Sequence, residues 1–133
     1  YWVREVMNRM YKNHIRGLSG NDDCGQMSAW YLFTAMGFYP VCPGTDQYVL
    51  GAPYLPSLKM SLPNGKIFEI KAPGVSDKKR YVKSVRLNGK PYTKMYITHK
   101  DITEGGVLEF VMSASPNKYR GQAKADKPYS LSE

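Results

Sequence analysis

The sequence predicts an α+β fold, with two N-terminal helices followed by an antiparallel β-sandwich-like region. Three observations carry this reading. Apolar residues recur with the helical period as far as Met36, the period changes to two after Gly44, and two Asn-Gly pairs punctuate the second half.

The first helix is expected over residues 2–13. Trp2, Val3, Val6, Met7, Met10 and Tyr11 form an apolar stripe, with Arg4, Glu5, Arg9 and Lys12 facing out, and Gly17 and Gly20 end it. A second helix is expected over residues 26–36. It is apolar nearly all round, which requires burial on several sides, and Gly37 follows where a left-handed C-terminal residue is wanted. Its partners are expected upstream, and the start at Tyr1-Trp2 without Met points the same way. Strands are expected over 48–50, 58–62, 67–70, 81–87, 96–98 and 107–112, in a sandwich of about six or seven strands. Asn64-Gly65 and Asn88-Gly89 read as two-residue hairpin turns, with Gly105-Gly106 as a further turn. Three regions result: a helical segment over 1–44, a β region over 45–115 and an extended tail over 116–133.

Hydrophobic and aromatic contents of 42% and 13% require a packed core rather than disorder. The net charge of +8 comes from lysines and arginines spread along the chain, with Lys78-Lys79-Arg80 the one dense run. That run reads as a solvated hairpin tip beside Asp77, and no nucleic-acid motif accompanies it, so a nucleic-acid partner is set aside. No stretch of these residues resembles a membrane span or a signal peptide, which says nothing about location. His14 and His99 are too few and too far apart for a zinc site, and His99 reads as a turn residue. Cys24 and Cys42 read as free buried thiols. Trp30 and Tyr31 read as core rather than as a sugar-stacking platform. Neither Asn13 nor Asn117 has the following residues of a glycosylation acceptor.

The chemistry-bearing feature is Asn21-Asp22-Asp23, set between Gly20 and Gly25 just ahead of the second helix. Adjacent acids in such a turn suit a general base or an acceptor for sugar hydroxyls. A blander reading competes, because Asp23 and Gln26 have capping-box spacing. A cap needs one acid, whereas two crowded carboxylates repel and raise a pKa. An EF-hand is disfavoured, since the alternating acids and distal Glu are missing.

The run Gly17-Leu18-Ser19-Gly20-Asn21-Asp22-Asp23-Cys24-Gly25-Gln26-Met27-Ser28-Ala29-Trp30-Tyr31 resembles a C-terminal motif of glycoside hydrolase family 92, the calcium-dependent exo-acting α-mannosidases. Gly37-Phe38-Tyr39-Pro40-Val41-Cys42-Pro43-Gly44 and Tyr48-Val49-Leu50-Gly51-Ala52-Pro53 are similar to its next blocks. Asn64-Gly65-Lys66, Val85-Arg86-Leu87-Asn88-Gly89-Lys90-Pro91 and the stretch from Ile97-Thr98-His99 through Leu108 to Met112 resemble its closing strands.

The resemblance implies a protein with an N-terminal β-sandwich and a C-terminal (α/α)6 barrel, whose last helices would be the two expected here. It implies an inverting reaction in which a Glu acid and an Asp base stand about 6.5–9.5 Å apart, leaving room for water. It places the base on Asp23, with Asp22 as second choice and Asn21 as the helper that orients water or sugar. Asn21 stands where a second acid could sit two residues before Asp23. The acid would lie upstream of Tyr1, so the chain alone is expected to be inactive. Calcium is implied for the whole enzyme, with no ligand assignable among these residues. The implied substrate is a mannose-containing glycan, with α-1,2 linkage foremost. The implied location is periplasmic, cell-surface or secreted, in a bacterium. The rival readings are a non-catalytic carbohydrate-binding module and a purely structural sandwich, the latter favoured for the region after Thr45 taken alone.

Overall fold

The computed structural model describes residues 1–132; the last residue of the expected tail, Glu133, lies outside the described residues. Helix α1 spans Trp2–Met10 and α2 spans Gln26–Met36. The strands are β1 (Phe38–Tyr39), β2 (Gln47–Leu50), β3 (Ser57–Ser61), β4 (Ile67–Lys71), β5 (Tyr81–Leu87), β6 (Lys90–Tyr92), β7 (Tyr96–Thr98) and β8 (Gly106–Ser113). A short helix α3, His99–Thr103, separates β7 from β8. The α+β class stands.

Two sheets form. One has three antiparallel strands in the order β1-β2-β7, and the other has five in the order β3-β4-β8-β5-β6. In the larger sheet β4 and β8 run parallel, with Ile70 opposite Leu108, while its other pairs are antiparallel. A parallel neighbour needs a long crossover, and the chain between β4 and β8 supplies β5, β6, β7 and α3. Both sheets feed one core. Phe38, Leu50 and Ile97 come from the smaller sheet, Phe68, Ile70, Val85, Leu108 and Phe110 from the larger, and Ile102 from α3. Along β4, Phe68 and Ile70 point inward while Ile67 and Lys71 stay exposed, the period of two that the sequence carries.

Turn chemistry separates the two Asn-Gly pairs. Asn88 and Gly89 both take positive φ, 51° and 78°, as a two-residue hairpin between β5 and β6 requires. At Asn64-Gly65 only the glycine is left-handed, at φ 79°. Pro63 fixes its own φ near the first position of an ordinary β-turn, so the turn runs over Leu62-Pro63-Asn64-Gly65, with Gly65 N–H donating to Leu62 O at 2.9 Å.

The helices depart from expectation in their burial. Helix α1 ends three residues early, with Tyr11 extended. Of its apolar stripe only Met7 is buried, and Trp2 remains 77% exposed. Arg4, expected outside, is instead buried and donates to Pro53 O at 2.8 Å. The aliphatic stem and the satisfied donor make this burial tolerable. Helix α2 forms over its expected span and stops at Gly37, φ 92°, whose N–H reaches Phe33 O and Thr34 O. A β-carbon on Gly37 would stand 3.0 Å from the Pro53 ring. Only Thr34 and Ala35 of α2 are buried among the described residues, and Leu32 is 62% exposed.

Arg80 corrects another expectation. It is half-buried rather than part of a solvated tip, pairing with Glu5 at 2.8 Å and donating to Asp77 O at 2.7 Å. The hydrogen bond to Glu5 holds its guanidinium proton more tightly than usual. Residues 116–132 carry only a 3-10 turn, Lys124–Asp126, yet they fold back on the sheets. Met95 N–H donates to Asp126 O at 2.7 Å, Thr93 to the Asp126 carboxylate at 2.8 Å, and Tyr129 N–H to Gln47 Oε1 at 2.8 Å. No helix is long and apolar enough to cross a membrane among the described residues.

Candidate functional site

The loop that leads into α2 is held in an unusual backbone state. Asp23, Cys24 and Gly25 are consecutively left-handed, with φ of 49°, 59° and 92°. For residues with a β-carbon this conformation costs roughly 1–2 kcal/mol each, less for Asp than for most. Such strain persists only where the surroundings impose it.

The expected capping box between Asp23 and Gln26 does not form. Gly25 is the N-cap of α2, no side chain caps there, and Asp23 meets Gln26 only through its backbone carbonyl at 3.3 Å. The left-handed run pushes Asp23 two residues ahead of the cap position. Asp22 takes over the duty instead. Its Oδ1 accepts the Ser28 backbone N–H at 2.9 Å, and the Ser28 hydroxyl donates to Oδ1 at 3.1 Å and to Oδ2 at 3.0 Å. Ser28 is the third residue of α2, so its N–H is one of the helix donors without an internal acceptor. Asp22 O also receives Met27 N–H at 3.2 Å.

Asp23 is left exposed, and among the described residues no hydrogen bond or ion pair engages its carboxylate. Asn21 beside it is exposed as well. The three expected site residues therefore share one loop with divided duties. Asp22 is spent on structure, while Asp23 and Asn21 face outward.

Behind the loop stands an aromatic cluster. Tyr11 stacks on Trp30 at 5.6 Å and lies 4.9 Å from the Tyr31 ring, and its hydroxyl donates to Met27 O at 3.1 Å. Burial, then the Asp22 charge, holds the Tyr11 proton above its ordinary value. Trp30 and Tyr31 are half-buried rather than core. A groove of about 510 Å³ opens between α2 and the preceding loop, lined by Tyr11, Asn13, His14, Ser28 and Tyr31 among others. That loop is pinched shut at Gly17, where a β-carbon would fall 1.9 Å from Lys12 O.

Ser28 and Tyr11 carry no site signal of their own in the sequence. Tyr11 reads as part of the apolar stripe of α1. Ser28 lies six residues beyond its acid, a spacing no capping pattern uses; a Ser at the third position of the helix after two acids was the available signal.

Cys24 and Cys42 are both free, but neither is fully buried: Cys24 is exposed on the left-handed step ahead of α2, and Cys42 is half-buried. His99 opens α3 rather than sitting in a plain turn, under a capping box made by Thr98 and Asp101, and its Nδ1 lies 3.2 Å from Tyr48 Oη. Calcium takes six to eight oxygen ligands. Among the described residues no three Asp, Glu, His or Cys side chains converge to hold a metal, and Asp22 already spends its oxygens on Ser28. These residues do not compose a calcium site by themselves.

Comparison with known proteins sets this loop in context. The model for the glycosyl hydrolase family 92 catalytic domain matches residues 1–114. An "uncharacterized secreted glycosidase" of Arthroderma benhamiae is 31% identical over 124 residues, covering 91% of this chain and 16% of its own length. The family GH92 α-mannosidase BT3965 of Bacteroides thetaiotaomicron superposes with a TM-score of 0.92 at 45% identity, over 99% of this chain and 18% of its own. It has also been solved in complex with mannoimidazole. The family GH92 inverting mannosidase BT2199 of the same organism has a TM-score of 0.92 at 42% identity, over 100% of this chain and 18% of its own. The chain thus spans less than a fifth of the length of these relatives.

Proposed function

The chain belongs to glycosyl hydrolase family 92, and on that premise we propose that it carries the base-bearing loop of an inverting α-mannosidase acting on mannose-containing glycans. The observation that carries the proposal is the division of labour between two adjacent acids. Asp22 is tied to Ser28, whereas Asp23 is presented outward on a strained step with its carboxylate unengaged. A general base must be fixed in place yet free to accept a proton. Asp23 meets both conditions and Asp22 only the first.

In this reading Asp23 removes a proton from a water molecule as that water attacks the anomeric carbon. Asn21 orients the water or a sugar hydroxyl. The acid that protonates the leaving oxygen lies on the opposite face of the sugar, about 6.5–9.5 Å away, on a residue outside this chain. The chain then supplies one half of the catalytic pair and does not turn over mannosides alone. The name of BT2199 supports inversion, and the mannoimidazole complex of BT3965 supports a mannose-shaped ligand. Calcium, if it assists the whole enzyme, takes ligands from elsewhere in that protein. The name of the Arthroderma benhamiae relative supports export, and the higher identity to the Bacteroides thetaiotaomicron proteins supports a bacterial source; together they fit a secreted, periplasmic or surface enzyme. The two sheets serve as scaffold in this scheme, since one apolar core joins them.

The test is mannose release from α-1,2-mannobiose by the full-length gene product, with and without a calcium chelator. Asp23→Asn should lower kcat by about 10²–10⁴-fold, and the first anomer released by the native enzyme should be β-mannose. Full activity in Asp23→Asn would remove Asp23 from the chemistry.

A further inference from the structure

Resting on the base assignment above, we infer that Ser28 is a positioning residue for Asp23 and acts through Asp22. Both of its donors, the backbone N–H and the hydroxyl, are committed to one carboxylate at 2.9–3.1 Å, and the hydroxyl spans both oxygens. With Met27 N–H on the Asp22 carbonyl, residue 22 is fastened to the first turn of α2 by main chain and side chain together. The link closes a ring over Asp23, Cys24 and Gly25, the three left-handed residues. Gly25 is held by the Ala29 N–H on its carbonyl at 2.8 Å, whereas Asp23 itself has, among the described residues, just the weak 3.3 Å bond from Gln26 N–H to its carbonyl. Where Asp23 stands is therefore set by the Asp22 anchor, and the anchor is set by Ser28. The hydrogen bonds are charge-assisted, and the N-terminal end of α2 adds favourable potential for the carboxylate. Without the Ser28 hydroxyl, Asp22 keeps one of these three contacts and the ring can open. Misplacing a base by about 1 Å is enough to cost on the order of 10²-fold in rate.

The experiment uses the full-length protein with α-1,2-mannobiose and compares Ser28→Ala, Ser28→Thr, Asp22→Asn and Asp23→Asn. Ser28→Ala should lower kcat about tenfold or more with little change in KM and an unaltered melting temperature. Ser28→Thr, which keeps both donors, should restore most of the rate. Asp22→Asn still offers an acceptor oxygen to Ser28 and should retain clearly more activity than Asp23→Asn. A native kcat in Ser28→Ala beside an inactive Asp23→Asn would overturn the positioning role and leave the base assignment standing. Loss in Ser28→Ala that Thr does not rescue would overturn it too, because packing and not the hydroxyl would then matter. Should Ser28→Ala not fold, equal losses in Asp22→Asn and Asp23→Asn would overturn it, since Asp22 would be acting in the chemistry. An active Asp23→Asn would instead defeat the underlying reading of the base.

Discussion

The guanidinium of Arg4 lies 4.4 Å from the centre of the Tyr54 ring while donating at 2.8 Å to the carbonyl of Pro53. Helix α1 is thereby tied to the segment after β2 by a cation, alongside the Tyr54 hydroxyl that donates to Asn8 Oδ1 at 3.1 Å and the buried Met7. Burial disfavours the charge and lowers the Arg4 pKa, with Asp77 as the main opposing influence. Arg4→Ala removes the hydrogen bond, the stacking and the packed stem together. It should destabilise the protein by about 2–3 kcal/mol, read from the denaturation midpoint of the full-length enzyme. Arg4→Lys should recover only part, since an ammonium cannot lie flat on the ring while reaching Pro53.

Gly25 has φ 92° and nothing within 4 Å of where a β-carbon would stand. Gly25→Ala therefore carries a backbone penalty alone, about 1 kcal/mol or somewhat more. If Asp23 is the base proposed above, the same substitution should also lower the kcat of mannose release by the full-length protein. Native turnover with reduced stability would separate the loop geometry from catalysis.

Gly106 is constrained by space as well as by φ. At φ 125° its β-carbon would fall 2.1 Å from Asn88 Oδ1, the atom that accepts Val107 N–H at 2.8 Å. Gly106→Ala should expel the Asn88 side chain and cost about 2–4 kcal/mol. Asn88→Gly keeps the left-handed turn and loses only the hydrogen bond, so it should cost about 1 kcal/mol. Equal losses in chemical denaturation would refute this ordering.

Tyr92 gives a pH-dependent prediction. Burial first, then the Asp101 charge, pushes its phenol up to about 12, and its hydroxyl donates to Tyr96 O at 3.0 Å. A raised folded-state pKa means that the neutral phenol is the form favoured by folding. Its stabilising contribution is complete below the unfolded value near 10 and is lost as pH rises from about 10 to about 12. Ultraviolet titration should show a late tyrosine step near 12, and Tyr92→Phe should remove that step. The same variant should flatten the alkaline fall of the melting temperature. An unchanged titration curve would refute the assignment.

The sequence by itself determined the elements whose causes are local. Helix α2 stops at Gly37 because a left-handed cap needs no partner beyond the helix end, and Asn88-Gly89 turns because both residues accept positive φ. The period of two in β4 fixes which residues face the core. It also located the acidic loop. What tertiary structure decided is whatever depends on distant partners. The parallel pairing of β4 with β8 joins segments that no local pattern links. Arg4 is buried because Tyr54 and Pro53 receive it, and Arg80 is tethered because Glu5 does. The same holds at the site. Composition and spacing could not say which acid is free, because capping chemistry suits either one. The left-handed run over Asp23, Cys24 and Gly25 decided it, by holding Asp23 two residues short of the cap position and leaving Asp22 within reach of Ser28.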